Sequence, residues 1–178
     1  METPPLSSFA NVHAHGICAP DTVCSIEPEA DISTPYGAAW YSVGIHPWST
    51  GREVDAAVTE RLRTLCADPR VVAIGECGFD KNRGGSLSYQ EEIFRLHVTL
   101  SEELQKPLII HCVGRYGRLI ELHRELQPSQ LWVVHGFTGK HELARQLVAA
   151  GFALSLGPRS NPALAALIPA GLRFYETD

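Results

Sequence analysis

Short apolar runs alternate with amphipathic helical patterns along most of the chain, and this alternation restricts the possible folds more than any other feature. The runs lack the polar alternation of a half-exposed strand, so each is predicted to be a strand buried on both faces. The eight predicted strands are 9–12, 22–26, 41–45, 71–75, 107–110, 131–134, 152–156 and 172–175. Strands that alternate with helices in this way are parallel, in an open sheet or a closed barrel.

The helical patterns have recognisable starts and ends. Ser88 and Glu91 have the spacing of a capping box and precede an apolar stripe that runs to Leu104. Gly151 is placed to end a later helix, and Asn161 followed by proline is typical of the start of another. Two further helices are predicted over 54–65 and 119–126. No amphipathic stripe occurs from 16 to 39, which predicts that the first connections lack helices.

Acidic residues and histidines follow the apolar runs, at the point where each predicted strand ends. They are His13, His15, His46, Glu76, His111, His135 and Asp178. Because the carboxyl ends of parallel strands meet at one edge of a sheet or one mouth of a barrel, we expect these side chains to lie together.

This set of side chains has the chemistry of a metal site. Imidazole nitrogen and carboxylate oxygen suit zinc, manganese or iron, and the absence of thiolate argues against a structural zinc site. Glu76 can offer one oxygen to each of two ions. Two ions about 3.5–4 Å apart activate water and neutralise charge on a phosphoryl group. By contrast, His97, His123 and His141 lie in helical patterns and are expected to be exposed, while Cys77 and Cys112 should be packed thiols outside the barrel.

Six segments carry a resemblance to a known family and occur in its order. They are Asn-Val-His-Ala-His at 11–15, Ser-Val-Gly-Ile-His-Pro at 42–47, Val-Ala-Ile-Gly-Glu-Cys-Gly-Phe-Asp at 72–80, Pro-Leu-Ile-Ile-His-Cys at 107–112, His-Gly-Phe-Thr-Gly at 135–139 and Glu-Thr-Asp at 176–178. With them, the chain resembles the TatD family of metal-dependent deoxyribonucleases, in a compact bacterial form. The resemblance implies an α/β fold in one domain over 1–178: a distorted, shortened TIM barrel with reduced first connections and a chain that ends at the last strand.

The resemblance also implies two divalent ions, zinc, magnesium or manganese. The implied ligands are His13, His15 and Asp178 for one ion, His111 and His135 for the other, and Glu76 as the bridge. Asp178 would in addition orient or deprotonate the attacking water, so Glu76 and Asp178 are the expected catalytic residues. The substrate implied is DNA or another phosphodiester.

Four further residues are predicted to contact the substrate. His46 matches a histidine that the family keeps near the substrate, and we assign it to the phosphate or to a position behind the ligands. Lys81, Arg83 and Arg115 are the positive groups nearest to the proposed ligands in sequence. Local charge matters because 15 Lys and Arg against 20 Asp and Glu give a net charge of −5, which excludes a general basic field for nucleic acid.

The remaining expectations concern location and alternatives. The chain has neither a signal-peptide pattern nor an apolar stretch of membrane length, and its five cysteines form no C-x-x-C pair. We therefore expect a cytoplasmic protein with no membrane contact. No protein partner is inferred. Two alternatives stay open. The same site could hydrolyse a small-molecule amide, lactone or phosphoester, since the fold does not select the substrate. The chain could also be a truncated barrel without catalysis, because the proposed ligand Asp178 is its last residue.

Overall fold

Eight parallel strands form one sheet in the computed structural model, which describes residues 3–16, 18–32 and 40–178. The strands pair in the order of the sequence. They are β1 (Asn11–Ala14), β2 (Thr22–Ile26), β3 (Trp40–Val43), β4 (Val71–Asp80), β5 (Leu108–Val113), β6 (Trp132–Val134), β7 (Ala153–Leu156) and β8 (Arg173–Tyr175). Beside β8, Thr177 Oγ1 accepts a hydrogen bond from Asn11 Nδ2 at 2.7 Å. This contact joins β1 to the residues that follow β8, and the result is a nearly closed TIM barrel, as predicted.

Four α-helices lie in the later connections of the barrel. They are α1 (Ala56–Cys66), α2 (Leu87–Leu104), α3 (Tyr116–Leu126) and α4 (His141–Ala149). The described residues of the first two connections, 15–16, 18–21 and 27–32, contain no helix, in agreement with the prediction. The rest of that prediction, for residues 17 and 33–39, lies outside the described residues. No helix in the described ranges has both the length and the apolarity needed to cross a membrane.

The strands are continuously apolar because they separate two layers of the core. Along β6, Val133 faces the barrel interior, whereas Trp132 and Val134 pack in the layer beneath the helices. Cys77 and Cys112 belong to this outer layer, as expected. Burial raises the pKa of both thiols, to about 12 for Cys112, so they are protonated packing groups near neutral pH.

The start of α2 differs from the prediction. Ser86 is the N-cap, and its hydroxyl accepts a hydrogen bond from Tyr89 N at 3.2 Å, so the capping box at Ser88 and Glu91 is wrong. The side chain of Glu91 instead pairs with Arg95 and Arg118 on the helix surface. A surface pairing of this kind removes the carboxylate from the helix start.

Two of the three helical histidines are buried or half-buried, although all three were predicted to be exposed. His97 is fully buried: its Nε2 accepts a hydrogen bond from Ile45 N at 2.9 Å, and its Nδ1 donates to Ile93 O at 2.7 Å. His123 is half-buried against Trp132, with ring centroids 5.0 Å apart. Their burial depends on contacts outside their own helices, with Ile45 for His97 and with the rings of Trp132 and Phe152 for His123. His141 is exposed, as expected.

Two strand bounds also differ from the prediction, and one of them changes the position of a predicted site residue. The first strand begins at Asn11 rather than at Phe9, because a 3₁₀ turn at Leu6–Ser8 precedes it and Phe9 N donates to Leu6 O. β4 continues to Asp80, so Glu76 lies inside a strand and not at its end.

Candidate metal centre

Glu76 lies at the centre of five histidines at the mouth of the barrel. The whole residue is only 4% exposed. The distances to Oε1 are 2.8 Å from His135 Nε2 and 2.9 Å from both His46 Nε2 and His111 Nδ1; those to Oε2 are 3.3 Å from His13 Nε2 and 3.4 Å from His15 Nε2. Each oxygen thus faces its own group of imidazoles, as a carboxylate shared by two ions requires.

Glycine allows the neighbouring strands to approach this carboxylate. Gly75 has φ +129°, and a Cβ atom there would lie 2.2 Å from the carbonyl oxygen of Ile109 on β5. On the other side, a Cβ atom at Gly44 would lie 2.5 Å from Gly75 Cα. Any side chain at either position would force β3, β4 and β5 apart. The two glycines therefore determine where Glu76 is held.

His13 shows that a metal ion fits this site. The residue is fully buried; its Nδ1 has no hydrogen-bond partner, and its Nε2 has only the 3.3 Å contact with Glu76 Oε2, which lacks hydrogen-bond geometry. Buried polar atoms without partners are rare, because removing them from water is unfavourable unless something replaces the lost interaction. A metal ion would supply that partner, and neutral imidazole nitrogen is a ligand for zinc or manganese.

The described residues contain four groups whose ligand atoms lie within 4.8 Å of one another. They are His13–His15–Asp178, His13–Glu76–His135, His46–Glu76–His111 and His135–Glu176–Asp178. All six predicted metal ligands belong to these groups. Asp178 and His15 form the exposed rim of the set: their side chains are 34% and 50% exposed, and Asp178 Oδ1 lies 4.0 Å from His15 Nε2.

His46 is oriented by the backbone of the turn that follows it. Its Nδ1 accepts a hydrogen bond from Trp48 N at 3.1 Å. A neutral imidazole that accepts at Nδ1 carries its proton on Nε2, so Nε2 donates to Glu76 Oε1. In this arrangement His46 holds the carboxylate and does not present a free lone pair to an ion.

Two buried carboxylates lie behind the histidines, and the sequence analysis assigned neither to the site. Asp80 Oδ2 is 3.3 Å from His111 Nε2, and Glu176 Oε1 is 3.3 Å from His135 Nδ1. A carboxylate that accepts a hydrogen bond from one ring nitrogen directs the other nitrogen toward a metal. The signal for Asp80 was its position four residues after Glu76, since alternate residues of a strand share a face.

The electrostatics of the centre favour a charged Glu76. Burial alone raises its pKa, but the positive charge of His135 and a hydrogen bond with His111 outweigh burial and hold the pKa well below its usual range. Burial lowers the pKa of His135, but the charges of Glu76 and Glu176 outweigh that effect and raise it. Proton and metal would therefore compete for the same imidazole nitrogens.

The centre opens into a cleft of about 830 Å³. Among the described residues, Arg159 is the one arginine or lysine that lines this cleft. The sequence analysis did not predict it. The structure places the three predicted cations elsewhere: Lys81 packs against Gly114, Arg83 lies over the ring of Trp48, and the Nε of Arg115 is buried. Arg83 remains beside the cleft, because Trp48 is part of its lining.

Comparison with known proteins decides the family. The family model for TatD-related DNases matches residues 8–178. The chain belongs to the TatD family. The prediction made from the six sequence segments is thereby confirmed.

Curated relatives of this TatD-family protein include two named 3′-5′ ssDNA/RNA exonuclease TatD. The one from Cronobacter turicensis is 37% identical over 161 residues, covering 80% of this chain and 58% of the relative. The one from Musicola paradisiaca is 35% identical over 152 residues, covering 80% and 57%. The chain thus spans little more than half the length of these relatives.

Solved structures agree with the TatD barrel. A TatD-family hydrolase from Entamoeba histolytica superposes with a TM-score of 0.68 at 27% identity, covering 78% of this chain and 50% of that one. A TatD homologue from Escherichia coli K-12 gives a TM-score of 0.70 at 21% identity, covering 88% and 67%. The second comparison bears on the fold alone.

Proposed function

We propose that this TatD-family protein hydrolyses phosphodiester bonds in single-stranded nucleic acid, DNA foremost, with two divalent ions. One observation carries the proposal: the buried Glu76 carboxylate, with histidines on both of its oxygens, lies at the base of an open cleft. The names of the relatives from Cronobacter and Musicola support the choice of substrate.

The residues of the centre divide between the two ions as follows. We assign His13, His15 and Asp178 to one ion, His111 and His135 to the other, and Glu76 to both. When bound, two divalent ions neutralise charge on the phosphoryl group and lower the pKa of a water. Zinc, manganese and magnesium all accept histidine or carboxylate ligands in enzymes, and metal analysis of the purified protein identifies the ions.

The protein side chains then bind, orient and move protons. Nε2 of His46 donates to Glu76 Oε1 and fixes the carboxylate in one rotamer. Asp178, at the open rim of the cluster, accepts the proton of the attacking water, because it is the most solvent-accessible of the assigned carboxylates. Arg159 faces the cleft and contacts the negatively charged backbone of the substrate. Because the chain has a net charge of −5, Arg159 and the bound ions supply the electrostatic attraction for the substrate.

Cleavage of a labelled single-stranded DNA by manganese-loaded protein tests the proposal. We expect turnover by the wild type and a loss of at least about 100-fold in Glu76→Gln, which keeps the side-chain shape and removes the charge. Glu103→Gln, on the exposed surface of α2, is the matched control and should cleave normally. Absence of cleavage by the wild type, or unchanged cleavage by Glu76→Gln, would refute the proposal.

A cleft of about 830 Å³ is also within the range for small-molecule sites. The same preparation should therefore be assayed on a small phosphoester and a lactone. Turnover of either with no cleavage of DNA would replace the nuclease by a metabolite hydrolase. A metal content below one ion per chain, with no turnover of any substrate, would favour a barrel without catalysis.

A further inference from the structure

An exposed tryptophan lies beside the metal centre. Among the described residues, the large hydrophobic side chains that remain exposed are Trp48, at 46%, and Tyr175, at 49%. Trp48 lines the cleft, and its ring centroid is 4.8 Å from that of His46 and 5.9 Å from that of His111. An indole left open to water within contact distance of a catalytic cluster is a candidate ligand surface.

The indole is held in place before any ligand arrives. Trp48 Nε1 donates a 2.7 Å hydrogen bond to Asp80 Oδ2. Asp80 is itself buried and anchored: its backbone N–H donates to Gln90 Oε1 at 2.8 Å, and its carbonyl oxygen accepts from Gln90 Nε2 at 3.0 Å. A ligand that packs on this ring therefore loses little affinity to ordering of the protein.

A positive charge accompanies the ring. The guanidinium carbon of Arg83 lies 4.1 Å from the centroid of the Trp48 ring. At that distance the cation is attracted to the aromatic face and is positioned near the cleft of an otherwise acidic protein. An aromatic surface combined with an adjacent cation is the pairing by which proteins bind unpaired bases and their phosphates.

From these contacts we propose that Trp48, supported by Arg83 and Asp80, is a stacking platform for the nucleobase next to the scissile phosphodiester. The inference rests on the proposed nuclease function and adds the recognition of the base. Stacking engages the π-face that every base has, so the platform favours single strands over paired duplex and tolerates any base. The platform contributes to substrate binding and not to bond cleavage, because the indole ring has no titrating group that could transfer a proton.

The test compares two substrates of equal length and charge: a thymidine tetranucleotide and the same deoxyribose-phosphate tetramer with abasic residues throughout. Wild-type protein should have a KM about tenfold lower for the base-bearing tetramer, in line with the stacking of a single base. Trp48→Leu should lose this preference, whereas Trp48→Phe, which keeps an aromatic face without the N–H donor, should retain most of it. Tyr175→Leu removes the other exposed aromatic ring and should behave as the wild type.

The ratio of the two KM values separates a stacking role from a structural one, because a misfolded or metal-poor variant loses both substrates together. Arg83→Gln is the second variant, and it should reduce the preference about two- to fivefold without removing Trp48. Equal KM values for the two tetramers in the wild type, or an unchanged preference in Trp48→Leu, would overturn the platform and leave the nuclease proposal intact. Failure of the wild type to cleave either tetramer would instead refute the nuclease proposal.

Discussion

Nδ1 of His135 lies 3.3 Å from Oε1 of Glu176, while Nε2 of the same ring lies 2.8 Å from Oε1 of Glu76. The imidazole is thus held between two carboxylates, with the inner nitrogen aimed at the centre of the cluster. Glu176 is fixed in turn, since its Oε2 accepts a hydrogen bond from Gly136 N at 2.9 Å. Glu176 therefore orients the His135 ring so that its Nε2 faces Glu76.

This arrangement predicts that Glu176→Gln weakens metal binding without removing a ligand. The variant replaces a charged acceptor by a neutral amide and lowers the basicity of His135. Changes behind a ligand of this kind cost about 10- to 100-fold in metal affinity. Titration calorimetry with manganese measures the effect, Asp80→Asn should behave similarly through His111, and Glu103→Gln is the surface control. An affinity equal to that of the wild type in both variants would contradict this role.

Gly75 is predicted to be intolerant of a side chain. Its φ of +129° is open essentially to glycine alone, and an added Cβ would meet the Ile109 carbonyl at 2.2 Å. We expect Gly75→Ala to destabilise the fold by at least about 3 kcal/mol, measured by urea unfolding. Gly117→Ala is the control, since a Cβ atom there, within α3, would meet no atom within 4 Å. It should be neutral or stabilising by up to about 1 kcal/mol. Equal stability of Gly75→Ala and the wild type would contradict this packing.

The buried His97 predicts a loss of stability at mildly acidic pH. Burial lowers the pKa of this imidazole from 6.5 to about 4. The unfolded chain therefore binds a proton at a higher pH than the folded one does. The contribution of neutral His97 to the free energy of unfolding is fully present above pH 6.5. It declines by about 3 kcal/mol in total as the pH falls from 6.5 to 4.

The free energy of unfolding of wild type and His97→Gln, measured across this pH range, checks the prediction. The difference between the two should change by about 3 kcal/mol, because the variant lacks the titrating ring. His141→Gln, on the exposed start of α4, is the control. A constant difference between wild type and His97→Gln from pH 7 to 4 would show that His97 does not cause the loss.

The barrel, and the gathering of the predicted site residues at its mouth, could be predicted from the sequence because both follow from local patterns. A strand such as Trp132–Val134 is buried on both faces, so its sequence is apolar throughout and needs no knowledge of its neighbours. The histidine that follows it reaches the mouth of the barrel through topology alone. The same reasoning brought together His13 and His111, which are far apart in sequence.

What could not be predicted depends on contacts across the fold. His97 has the helical spacing of a surface residue, and its burial depends on a partner outside its helix, because Ile45 N donates to its Nε2 while Nδ1 donates to Ile93 O. Ser86 caps α2 in place of Ser88, because the hydrogen bonds of Gln90 to the Asp80 backbone determine where the helix begins. Arg159 reaches the cleft from a loop after β7, and nothing in its sequence surroundings distinguishes it from a solvated arginine.

The central claim is that Glu76 bridges two metal ions within the histidine cluster. Anomalous diffraction from a crystal soaked in manganese tests it most directly, since the peaks locate and count the ions. We predict two peaks about 3.5–4 Å apart, one on each oxygen of Glu76. One should lie against His13, His15 and Asp178, and the other against His111 and His135. A single peak, or none in contact with Glu76, would contradict the account.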